Sequence, residues 1–246
     1  MNTLANGSFL GEEAISPNAG ITPDIIPEAR SSRSGVSVRY TPLPDGSKKW
    51  FLFRVSYGRE MQAADLLIEQ GIYAYFPQRY EMVEREGKRR RVLKSLLPNL
   101  LFAYLSPEEA ELFTKGPSRQ DITADTLPER KASAAFSLSL LLSYYYNHFA
   151  TNERGNNPPL VIPAKEMANF ILATQTHSQH LKQVIMEKCR FLDDKQVVVV
   201  EGVYKGVRGR VARVAGQQCI VVSLANGTFN VSTDYIPKHF IRVIDE

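Results

Sequence analysis

The tightest constraint on this chain lies near its C-terminal end, where residues 195–214 read KQVVVVEGVYKGVRGRVARV. A valine run, a turn carrying Gly202, Lys205, Gly206 and Gly209, and a second β-branched run spell strand, tight turn, strand. Two further runs, Cys219 to Leu224 and Thr228 to Ser232, flank Asn226-Gly227. That dipeptide favours a two-residue hairpin, because both central residues of a type I′ turn need positive φ. Together these runs predict a small barrel of about five strands over residues 193–246.

Upstream, the periodicity changes. Trp50-Phe51-Leu52-Phe53-Arg54-Val55 is dense in aromatic and β-branched residues and predicts a buried strand. Met61, Ala64, Leu67 and Ile68 then recur at helical spacing, and Gly71 is placed to end that helix in the left-handed conformation. Strands follow at Ile72 to Phe76 and around Tyr80 to Val83, with a basic turn at Glu86 to Arg89. Another spans Asn99 to Leu105 and enters a helix at Ser106-Pro107-Glu108-Glu109, where Ser caps, Pro opens the first turn and Glu stands third. The order β, α, β, β-hairpin, β, α predicts an α+β domain with helices against an antiparallel sheet. Its boundaries are read as 47–174, followed by a polar linker at 175–192. Residues 1–46, rich in Pro, Ser, Asn and Gly, read as a disordered or loosely attached leader. An extra strand around Val36 to Tyr40 is the alternative there.

Composition narrows the function. With 246 residues and 43% apolar content the chain can bury one or two cores. A formal charge of +4 is too small for a histone-like polycation, so nucleic-acid binding has to come from a local cluster. One exists: Arg79, Arg85, Lys88, Arg89, Arg90, Arg91 and Lys94, against Glu81, Glu84 and Glu86. On a hairpin, Arg89 and Arg91 would present together and Arg90 would face away. A solvated hairpin tip is the competing reading. Cys189 and Cys219 lack CxxC spacing, and neither a secretory leader nor a membrane-length apolar run is seen, so the expectation is a reduced, cytoplasmic protein without membrane association. No GxSxG, HExxH, Walker or strand-following GxGxxG pattern is present, which argues against an enzyme and against a cofactor. His177, His180 and Cys189 form too weak a set to predict a metal site.

The glycine-lysine-glycine turn resembles the KOW motif of SH3-like barrels. Lys49-Trp50-Phe51-Leu52 and Leu97-Pro98-Asn99-Leu100-Leu101-Phe102 resemble the opening strand and the Phe-Pro-Asn-Tyr signature of the NusG N-terminal domain. The resemblance implies a NusG N-terminal α/β sandwich domain followed by a small SH3-like β-barrel, the KOW domain. Tyr144-Tyr145-Tyr146, Asn156-Asn157-Pro158-Pro159-Leu160, Ile162-Pro163 and the closing Tyr235-Ile236-Pro237 are similar to the UpxY-type, RfaH-like paralogues, with 117–160 as a family-specific segment. That implies an operon-specific antiterminator of surface-polysaccharide gene clusters. By position, Trp50, Phe51, Leu97, Pro98, Asn99 and Leu100 are then candidates to meet RNA polymerase at its β′ clamp helices, with another edge on the β subunit. Core packing is the first reading for Phe51, and Pro98 and Leu100 are the residues expected at the surface. The basic hairpin would lie near non-template DNA or nascent RNA, and the barrel would recruit a ribosomal protein or a termination factor. Small antagonist proteins are a further partner class that the resemblance implies. A housekeeping NusG factor and a ribosome-associated KOW RNA-binding protein are the alternatives.

Overall fold

The computed structural model describes residues 26–43, 45–118 and 128–244. Its N-terminal half is built on an antiparallel sheet ordered β4-β7-β3-β8. The strands are β3 (Lys49–Val55), β4 (Tyr73–Tyr75), β7 (Leu100–Leu105) and β8 (Leu142–Tyr144), with β9 (Val161–Ile162) also pairing β3. Register sets the two faces: Trp50 stands opposite Tyr104, Leu52 opposite Phe102 and Arg54 opposite Leu100. With period-2 alternation these share one face, and Phe51, Phe53 and Val55 point to the other.

Helix α3 (Glu129–Ser139) packs against α1 (Glu60–Glu69) and α2 (Pro107–Lys115), and α2 and α3 both meet β8, on the side where Phe53 stacks against Tyr144. The predicted start of α2 is present in full: Ser106 accepts from the Glu109 N–H, and the Glu109 carboxylate accepts from the Ser106 N–H. The opposite face is covered by α4 (Ala164–Thr174), where Phe170 lies 5.6 Å from Phe102 and Thr174 bonds the Tyr75 hydroxyl.

Residues 26–43 do not behave as a loose leader. They form β1 (Ala29–Arg30) and β2 (Ser37–Val38), paired antiparallel, and bury Ile26, Ala29 and Tyr40. Tyr40 enters an aromatic cluster with Trp50, Tyr73 and Tyr104 at ring separations of 5.0–5.7 Å. Ser32 donates through its N–H and its hydroxyl to the buried Asp65 carboxylate, both at 2.6 Å. Aromatic burial and a satisfied carboxylate outweigh the low local propensity of the segment. The short β2 coincides with the alternative strand at Val36 to Tyr40. Of the expected leader, residues 1–25 and 44 lie outside the described residues.

The C-terminal half is a six-stranded antiparallel sheet ordered β10-β14-β13-β12-β11-β15. It comprises β10 (Lys182–Gln183), β11 (Arg190–Val199), β12 (Arg208–Val214), β13 (Gln217–Leu224), β14 (Phe229–Ser232) and β15 (Ile241–Val243). The valine run falls in β11, and Asn226 and Gly227 have φ of 53° and 83°, as the turn between β13 and β14 requires. A closed barrel is not found: among the described residues β10 and β15 are edge strands with no ladder between them. Residues expected as linker also enter this sheet, since β10 pairs β14 and Val184 donates to the Asn230 carbonyl.

Candidate functional site

Burial sorts the six candidate polymerase residues. Trp50, Phe51 and Leu97 are inside, at 1%, 5% and 1% exposure, so they support the domain from within. Leu100 is half-buried against the core, and Pro98 and Asn99 are exposed. Phe51 packs in the core and Pro98 reaches the surface as expected, whereas Leu100, also expected at the surface, is half-buried.

Asn99 organises its surroundings. It sits at φ 62°, a conformation Asn tolerates better than most residues. Its Oδ1 accepts from the Gly58 N–H at 2.9 Å, its N–H donates to Glu60 Oε1 at 2.7 Å, and its carbonyl accepts from the Val55 N–H. These bonds hold the turn between β3 and α1, whose Tyr57 is 92% exposed at φ 58° with the Arg59 guanidinium 5.6 Å from its ring. Met61, 51% exposed, follows in the first turn of α1. Sequence reasoning missed Tyr57. An aromatic residue directly before a glycine at a strand-to-helix junction was the available signal.

The basic cluster forms the hairpin β5 (Gln78–Arg85) and β6 (Lys88–Ser95), which among the described residues pairs with no other strand. The partners are Met82 with Arg91, Val83 with Arg90, Glu84 with Arg89 and Arg85 with Lys88. Arg89 and Arg91 therefore share a face and Arg90 takes the other, as expected. At the base, Arg79 donates to the Leu181 carbonyl, and Lys94 lies 2.6 Å from Glu81. That ammonium holds the Glu81 carboxyl below its ordinary range. Arg79 and Lys94 are thus partnered within the protein, leaving Arg85, Lys88, Arg89, Arg90 and Arg91 toward the tip. His177, weighed as a metal ligand, instead bonds the Gln78 carbonyl through Nδ1 at 3.1 Å, and among the described residues no group of metal-binding side chains assembles.

The glycine turn of the C-terminal sheet is oriented by geometry. Gly206, at φ 91°, leaves room for Leu172 of α4, whose Cδ2 would stand 3.2 Å from an added Cβ. Gly209 is more constrained: a Cβ there would fall 2.4 Å from the Val221 carbonyl oxygen. Gly202 faces Phe240, and Lys205 is exposed.

This turn docks on the N-terminal half. Asn169 of α4 donates through Nδ2 to the Arg208 carbonyl and accepts the Arg208 N–H, both at 2.8 Å. Glu166 accepts from the Ala225 N–H at 3.0 Å, Tyr145 meets Phe229 edge to face at 5.5 Å, and Thr176 bonds the Tyr204 hydroxyl. One hydrophobic core runs through both halves, including Phe170, Leu172, Val207 and Phe229.

Residues 48–121 match the NusG family model, described as transcription termination factor nusG. No curated protein matches the chain. The matched stretch opens at β3 and encloses α1, the basic hairpin, the Leu97 to Leu100 turn and α2. Strands β3, β4 and β7 and the turn that carries the candidate surface thus lie within the stretch that matches the NusG family model, whereas β8 and β9 lie beyond it.

Proposed function

We propose that the protein is an operon-specific transcription antiterminator that binds RNA polymerase through the surface around Pro98, Asn99 and Leu100, widened by Tyr57 and Met61. The carrying observation is that, inside the NusG-matched stretch, Pro98 and Asn99 reach solvent while Asn99 fixes an exposed aromatic beside them. Preorganised aromatic and apolar side chains are the usual anchors of protein interfaces. Binding one clamp conformation better than another would move the polymerase population toward the processive state. The C-terminal sheet would take a second partner, a ribosomal protein or termination factor, with Lys205 and the exposed Val203 and Tyr235 as contact residues. Surface-polysaccharide clusters are the proposed targets, and small antagonist proteins the proposed counter-regulators.

A housekeeping role is the second reading, favoured by the family model's own description as a termination factor. Transcription in vitro through a leader carrying a terminator separates the two. Read-through that rises with the protein, and is lost in Pro98→Asp with Tyr57→Asp, supports antitermination through this surface. Increased termination supports the housekeeping reading. Equal activity of the variant, with its fold verified by circular dichroism, removes the surface.

A further inference from the structure

The turn after β11 and the stretch after β14 enclose a slot of about 120 Å³. Its lining is largely apolar, with Val199, Tyr204, Ile236, Pro237 and Phe240 among the walls. Backbone bonds fix those walls: Gly206 donates to the Val199 carbonyl, Val200 to the Phe240 carbonyl and Ile236 to the Gln218 carbonyl. Gly202 packs so closely that an added Cβ would stand 3.2 Å from Phe240 Cε2. The slot is therefore formed before any ligand arrives, which lowers the ordering cost of filling it.

Two carboxylates, Glu201 and Asp234, share this lining. Neither forms an ion pair among the described residues, although Lys205 and Lys238 each stand four residues further along the chain. The Ser178 hydroxyl donates to Asp234 Oδ1 at 2.7 Å, a bond that leaves the charge of the carboxylate uncompensated. In a protein of formal charge +4, two acids without a cation beside an apolar slot are a local charge open to a partner. Around them, Val203 and Tyr235 are 74% and 60% exposed.

We propose that the slot receives a lysine side chain of a partner protein, its aliphatic stem lying against Val199, Ile236 and Phe240 and its ammonium meeting Glu201 and Asp234. Long cationic side chains lay their stems along apolar surface and keep the charge at the solvent boundary, and an apolar slot edged by acid is the complement of that shape. The volume agrees: an apolar cavity of about 150 Å³ takes benzene, so this slot suits an unbranched four-carbon stem. A neutral aliphatic group would strip water from the carboxylates with nothing in return, and an anion would be repelled. A free amine would fill the slot and leave Val203 and Tyr235 bare, whereas a polypeptide carrying the lysine covers them as well. The proposal rests on the reading that the C-terminal sheet takes a second partner, and it names the chemistry by which that partner is held.

The test reads the slot directly. Full-length, isotope-labelled protein is titrated at neutral pH with n-butylammonium, butan-1-ol and butanoate, and the Val203, Tyr235 and Ile236 amides are followed by NMR. The expected result is a saturable shift with n-butylammonium at a concentration on the order of millimolar, a response to butan-1-ol about fivefold weaker, and none to butanoate. Glu201→Gln with Asp234→Asn, which keeps an oxygen for Ser178, should bring the ammonium and the alcohol within about twofold of each other. Nα-acetyl-lysine N-methylamide should bind at least as tightly as n-butylammonium, and its norleucine counterpart should behave as the alcohol does. Equal response to all three small probes, silence at the three amides, an ammonium preference that survives in the double variant, or rejection of the capped lysine would each overturn the proposal. The capped lysine and norleucine are compared on the unaltered protein, so a variant that fails to fold does not blunt the test. Lysine selectivity without any effect on transcription would sink the antitermination reading and leave the slot, and read-through without lysine selectivity would do the reverse.

Discussion

Asn169 is the best place to test how the two halves are joined. Its amide satisfies both backbone groups of Arg208, and Glu166, one helical turn earlier, satisfies the Ala225 N–H at the far side of the contact. Asn169→Ala removes two hydrogen bonds at a partly solvated site, where water can take over some of each. At about 0.7 kcal/mol apiece the loss is about 1.4 kcal/mol, tenfold in the docking equilibrium. The informative probe is Ala225, because its own partner is untouched by the substitution. If docking is one cooperative event, native-state hydrogen exchange followed by NMR should show the Ala225 amide exchanging about tenfold faster in the variant. Faster exchange at Arg208 with Ala225 unchanged would refute the reasoning, since the contacts would then open independently.

Gly209→Ala should cost about 1–3 kcal/mol in chemical denaturation, because its Cβ meets the Val221 backbone oxygen at 2.4 Å and forces β12 and β13 apart. Gly216→Ala, which meets nothing within 4 Å and is strained only by φ 83°, should cost less than Gly209→Ala; the reverse order would discard the steric account. Asp65→Ala should detach residues 26–43, seen as protease sensitivity around Ser32, because both Ser32 bonds end on that carboxylate. Burial raises the Cys219 thiol from 9.0 to about 11. A folded value above the unfolded one means stability present at neutral pH and lost as pH rises from about 9 to 11. Thermal melts across that window should decline more steeply than those of Cys219→Ala, and native Cys219 should resist alkylation at neutral pH.

Local chemistry was the legible part of the sequence. The Ser106 to Glu109 cap, the Asn226-Gly227 turn and the alternation that separates Arg89 and Arg91 from Arg90 each depend on neighbours within a few residues. What could not be read depended on distant partners. Nothing near Tyr40 announces Trp50, Tyr73 and Tyr104, and nothing near Ser32 announces Asp65, so the segment looked loose by composition. Trp50 and Leu97 were assigned to the candidate surface by position along the chain, whereas their side chains are turned inward by the register of β3 and the packing of the turn before β7. Tyr57 was overlooked because its display is arranged by Asn99, about forty residues away.

The shared core carries a consequence for taking the protein apart. Leu172 contributes to the packing of both sheets, and Leu181, in the stretch read as a connector, is fully buried and accepts from Arg79. A cut between residues 175 and 181 would therefore bare apolar surface on each fragment instead of releasing two soluble modules. Expressed alone, the C-terminal sheet would present Val207 and Phe229 to water and invite self-association. The chain is modular as text and single as a material: its natural unit of engineering, truncation and swapping spans both halves together.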